Sequence, residues 1–177
     1  MTPGFRKLVL TAHVSASVGW LGAVVAFLAL AIAGLASQDA QTVRAAYLTM
    51  ELIGWYALVP LALASLLTGL VQALGTTWGL FRHYWVLFKL LINVFATIVL
   101  LLYTQTLDHF ADIAAETTGS RDLSALRSSS PLLHAGAALL LLLVATTLAV
   151  YKPRGLTPYG QRKQREQRAV SRPSERF

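Results

Sequence analysis

Four apolar stretches constrain this chain more than anything else in it, because each is long enough to cross the hydrocarbon core of a bilayer. They run over about 8–35, 52–74, 84–103 and 131–151, the second interrupted by Pro60. A spanning helix needs about 20 predominantly apolar residues. Lipid offers the backbone no hydrogen-bond partners, so each spanning segment has to satisfy its own N–H and C=O groups. A helix does this. A barrel strand would alternate apolar and polar side chains, and these stretches do not. Composition agrees: the chain is 55% hydrophobic and 13% charged, whereas a soluble domain is about 25% charged. The first stretch is too long for a signal peptide, and no small-residue cleavage site stands before a polar start. The expected fold is an all-α membrane protein, an antiparallel bundle of four transmembrane helices. Residues 1–155 form that domain, and 156–177 form a basic tail read as disordered.

Lys and Arg set the expected orientation. Arg6, Lys7, Arg82, Lys152, Arg154, Arg162, Lys163, Arg165, Arg168, Arg172 and Arg176 fall on one side, with only Glu166 and Glu175 among them. The other side has Arg44, Arg121 and Arg127 against Asp39, Glu51, Asp108, Asp112, Glu116 and Asp122. The N-terminus, the 75–83 loop and the tail are therefore expected in the cytoplasm. The loops 36–51 and 104–130 are expected outside, the start of the second extending the third helix by a turn or two through Leu107, Phe110 and Ile113. This is the pattern of a multi-pass protein of the cytoplasmic membrane with both termini inside. Trp55, Trp78, Tyr84, Trp85 and Tyr151 lie near the helix ends, where aromatic residues anchor a span. The basic tail suits the anionic lipids of the inner leaflet. The expected partners are the bilayer, those lipids, and a second copy or another membrane protein; no nucleic acid is expected.

The absence of cysteine excludes disulfides, zinc–thiolate sites, iron–sulfur clusters and thiol catalysis. The sequence also lacks a phosphate loop, a nucleophile elbow and an HExxH motif.

Ionisable groups at membrane depth are costly, so each needs a partner or a purpose. His13 lies about 7.5 Å into the first stretch at 1.5 Å per residue. Ser17, Trp20 and Val24 continue its face. Lys89 enters from the same end of the third stretch, at a similar depth, and Asn93 and Thr97 continue its face. The second stretch brings Ser65, Thr68, Gly69 and Gln72 to the same level. Left unpaired in lipid, such groups cost several kcal/mol each, so they are expected to face one another. The plainer alternatives are a Lys89 that snorkels to the interface and a His13 bonded to a backbone carbonyl or to Ser17. At the opposite end, His109, Asp112 and Glu116 have helical spacing, and His134 lies near the same face. These are weaker candidates for a divalent metal, on a spacing that acidic loops produce by chance.

Several short motifs resemble a known group. His13, Trp20 and Gly22 open the first helix as His-x6-Trp-x-Gly. Trp85, Phe88 and Lys89 open the third. Leu67, Thr68, Gly69 and Leu70 close the second, and Tyr151, Lys152 and Pro153 close the fourth. Over roughly residues 5–155 the chain resembles the small bacterial four-helix integral membrane proteins that include the copper-resistance D domain and the haem-containing protoporphyrinogen oxidase. That resemblance implies a b-type haem held by His13 and Lys89, with Trp20, Phe88 and Asn93 near the macrocycle. The chain departs from the oxidase pattern over 23–35, which carries no basic residue, and porphyrinogen oxidation is not implied. With two Met and no Cys, it also lacks the usual copper ligands.

Two functional expectations follow. One is haem b between the first and third helices, serving electron transfer or redox chemistry. The other is a non-enzymatic transporter or assembly subunit, metal-related or not, with no cofactor.

Overall fold

The structure, a computed structural model, describes residues 1–75, 79–116 and 126–170. Helix α1 spans Pro3–Ala36. Proline near its start has no N–H to leave unsatisfied there, and Thr2 accepts from the Phe5 N–H at 3.4 Å. Extended backbone at Ser37 ends the helix. Asp39 then caps α2, Ala40–Ile53, accepting from the Thr42 N–H at 2.9 Å.

Helix α2 continues without a loop through a π-helical turn, Gly54–Leu58, into α3, Val59–Gly75. The cause of the wide turn stands directly after it. Pro60 has no N–H, and its ring excludes the carbonyl four residues earlier. In the widened turn the Val59 N–H bonds to the Gly54 carbonyl instead. Helix α4 covers Tyr84–Glu116, α5 covers Ser130–Tyr151, and α6 covers Pro158–Val170. Among the described residues there is no β-strand, only one isolated bridge between His83 and Leu156.

Among the described residues, four helices are long and apolar enough to cross a membrane: α1, the continuous α2–α3 unit, α4 and α5, with 34, 36, 33 and 22 residues. Around the bundle, α1 packs on α3, α3 on α4, α4 on α5, and α5 back on α1, so α1 and α4 lie on a diagonal. Along α4, Phe88, Leu91, Phe95, Ile98 and Leu102 are all more than half exposed. A stripe of that size is covered by lipid or a partner rather than water.

Helix α5 is about 33 Å long, close to the ~30 Å hydrocarbon core, whereas the other three reach about 50 Å. The excess forms a small bundle of its own at the end away from the basic residues. There Val43, Met50 and Leu126 are fully buried, and Leu107, Ala111 and Ala114 pack beside them. The Tyr47 hydroxyl donates to the Leu126 carbonyl. Arg44 Nε donates to the Ala114 carbonyl at 2.8 Å, placing a cation on the terminal carbonyls of α4, where the helix dipole favours it.

Several sequence expectations need correction. The 36–51 loop is mostly helix, because Val43, Ala46, Tyr47 and Met50 follow an i, i+3, i+4, i+7 pattern and bury one face. The third helix runs to Glu116, not 103, and the first begins at Pro3. The tail read as disordered contains α6. The Thr157 hydroxyl accepts from the Gly160 N–H at 3.1 Å and donates to the Phe81 carbonyl, which starts that helix and ties it to the loop before α4. Trp78, Arg121, Asp122 and the last seven residues lie outside the described residues.

Candidate functional site

His13, Ser65, Thr68 and Lys89 meet inside the bundle, toward its basic end. His13 is buried on α1. Its Nδ1 lies 3.0 Å from the Ser65 carbonyl oxygen and 3.1 Å from Thr68 Oγ1. A carbonyl only accepts, so Nδ1 carries the proton. The Thr68 hydroxyl donates to the Ala64 carbonyl at 2.5 Å, which leaves its lone pairs facing Nδ1–H. The other ring nitrogen, Nε2, is then bare, and Lys89 Nζ lies 3.2 Å from it. Lysine offers only donors when charged, so a second proton on Nε2 would set donor against donor.

The surroundings hold this geometry. Ser17 Oγ and Ser65 Oγ are 2.8 Å apart and pin α1 to α3 one turn from His13. The imidazole lies against Gly69, where an added Cβ would stand 3.0 Å from His13 Cε1. The missing side chain is what lets the ring approach α3. Gly19, further along α1, allows a similar close approach by packing on Leu61. The expected shared level is therefore observed on three helices, and Lys89 reaches across the diagonal to His13 rather than out to the interface.

Asn93 and Thr97 are buried next to Lys89 along α4. The Thr97 hydroxyl donates to the Asn93 carbonyl at 2.7 Å. Gln72 shares the level, but its Nε2 is buried with no hydrogen-bond partner. Phe88, expected near a macrocycle, is 57% exposed and points away from the bundle interior.

Trp20 is buried two turns beyond His13 and lines an apolar cavity of about 210 Å³ with Phe27, Ala96, Leu107 and Ala138. His134 also lines that cavity. It donates from Nδ1 to the Ser130 carbonyl at 2.9 Å and stacks on Tyr103 at 4.0 Å and 19°. The far-end residues do not come together as a metal site. His109 and Asp112 are exposed, His134 sits on another helix, and no group of three His, Asp or Glu side chains able to hold a metal occurs among the described residues.

Sequence reasoning found His13, Lys89 and the Ser65–Thr68–Gly69 run. A bond from His13 to a backbone carbonyl was the plainer alternative, and the structure identifies that carbonyl as Ser65; the Tyr103–His134 stack was missed. Which carbonyl it would be has no local signal, since a carbonyl carries no side-chain identity, and the stacked pair is far apart in sequence. No protein-family model, no curated protein and no solved structure matches this chain.

Proposed function

We propose that this is a polytopic protein of the cytoplasmic membrane, an antiparallel four-span bundle with both termini inside, whose His13 and Lys89 hold a b-type haem. The observation that carries the reading is the meeting of these two nitrogens across the bundle diagonal, on bare Nε2. The donor set suits iron. Histidine that ligates a metal usually donates its other ring N–H to a carbonyl or carboxylate, and the Ser65 carbonyl fills that role for His13. His13 Nε2 and Lys89 Nζ, 3.2 Å apart, are the two nitrogens that would hold the group.

Haem bound there supplies one-electron redox chemistry. The chain itself orients an imidazole through the Ser65 carbonyl and presents an amine to its bare nitrogen. The eleven-to-two excess of basic over acidic residues at one end supports the orientation. The test is the visible absorption of detergent-purified protein from haem-replete cells. A Soret band in wild type that is absent from His13→Ala supports the reading; colourless wild type overturns it.

A second reading is favoured by the same contact. At 3.2 Å the pair satisfies both nitrogens with no ligand, so it also serves as a polar lock between α1 and α4 in a non-enzymatic membrane subunit. That reading expects no absorbance, and a loss of stability in His13→Ala from the buried amine left alone.

A further inference from the structure

The basic end of the molecule contains a second, folded cavity of about 710 Å³, between the loop before α4 and the segment running from the end of α5 into α6. Its lining includes Arg82, His83, Lys152, Arg154, Gln164 and Gln167, and among the described residues no carboxylate. We propose that this pocket holds the phosphate of an anionic phospholipid headgroup.

The walls are built rather than loosely apposed. The Thr157 N–H donates to the Arg82 carbonyl at 3.0 Å, and the Tyr84 N–H donates to the Gly155 carbonyl at 3.3 Å. Gly160 presses on the same loop so closely that an added Cβ would overlap the Arg82 carbonyl oxygen. Arg82 Nη2 donates to Gln167 Oε1 at 3.1 Å, which fixes the direction of one guanidinium at the rim. Lys152 takes a left-handed backbone, φ 44°, which ends α5 and turns the chain toward the pocket.

Arginine's planar fork matches phosphate oxygens, lysine adds a point charge, and the glutamine amides are further donors. The location selects the source of the phosphate. Helix α4 begins at Tyr84 and α5 ends at Tyr151, so the pocket opens where two apolar helices leave the hydrocarbon. Headgroups lie at that depth, and basic pockets beside membrane helices bind anionic ones. Such a lipid also leaves its acyl chains against the exposed apolar stripe of α4.

The test uses the full chain in detergent and native mass spectrometry with phosphatidylglycerol, against phosphatidylcholine. Wild type is expected to retain phosphatidylglycerol preferentially. The triple variant Arg82→Gln, Lys152→Gln, Arg154→Gln is expected to lose about tenfold or more of that retention. A control triple, Arg162→Gln, Lys163→Gln, Arg165→Gln, removes the same charge from α6 outside the pocket and is expected to keep it. If the pocket triple misfolds, exposed Arg154→Gln alone is expected to weaken retention about threefold. Equal losses in the two triples, or no preference between the lipids, overturn the site. Displacement by millimolar inorganic phosphate overturns the lipid as its source.

Discussion

Lys89 Nζ lies 3.2 Å from His13 Nε2, and this contact joins two helices that otherwise stand on opposite corners of the bundle. It depends on a chain of simpler facts. Ser65 offers a carbonyl that fixes the imidazole tautomer, and Gly69 leaves room for the ring.

The orientation is tested with single cysteines, which the cysteine-free chain makes clean. A membrane-impermeant maleimide is expected to label Ser129→Cys in intact cells and Gln161→Cys only after permeabilisation. The reverse pattern contradicts the charge argument.

The far-end bundle is expected to behave as a core in contact with water. Met50 is fully buried there, and Met50→Ala is expected to cost about 2–5 kcal/mol. Leu140 on α5 is 66% exposed, so Leu140→Ala opens no cavity and is expected to cost far less. Thermal unfolding in detergent distinguishes the two, and equal losses would mean the far-end packing is not a core.

Helix α6 is expected to detach when Gly160 gains a side chain, because the new Cβ would strike the Arg82 carbonyl. Gly160→Ala should therefore speed tryptic cleavage at Arg162, Lys163 and Arg165, read by mass spectrometry. Unchanged cleavage would show that the tail is not docked on the loop.

The start of α2 carries a pH dependence. Hydrogen bonds from the Thr42 hydroxyl and N–H hold the Asp39 carboxyl below its usual value of 3.8. A depressed folded value stabilises the helix above the unfolded value, and the effect fades as pH falls through the folded one. Asn caps equally well without titrating. Wild type is thus expected to lose stability relative to Asp39→Asn as pH drops from about 6 toward about 3. A constant difference would remove Asp39 from the cap.

The four long apolar helices were legible because lipid demands such helices and little else. The far-end bundle was not, because Arg44 and Glu51 made its amphipathic helix resemble a loop. Its signal was present in Val43, Ala46, Tyr47 and Met50, one face beginning after an Asp39 cap. The tail helix was hidden by its basic, apolar-poor composition, although Thr157 before Pro158 is a helix-start signature. At the site, equal depth was enough to pair His13 with Lys89. It was not enough to place Phe88, since one position along a helix turns a side chain from bundle to lipid.

Haem ligation by His13 and Lys89 is tested most directly by the dithionite-reduced minus air-oxidised spectrum of detergent-purified protein, wild type beside His13→Ala and Lys89→Met. The expected result is a b-type difference spectrum in wild type, its loss in His13→Ala, and in Lys89→Met a bound haem of raised potential, because thioether has replaced amine. A featureless wild-type spectrum, or one unchanged by His13→Ala, would contradict it.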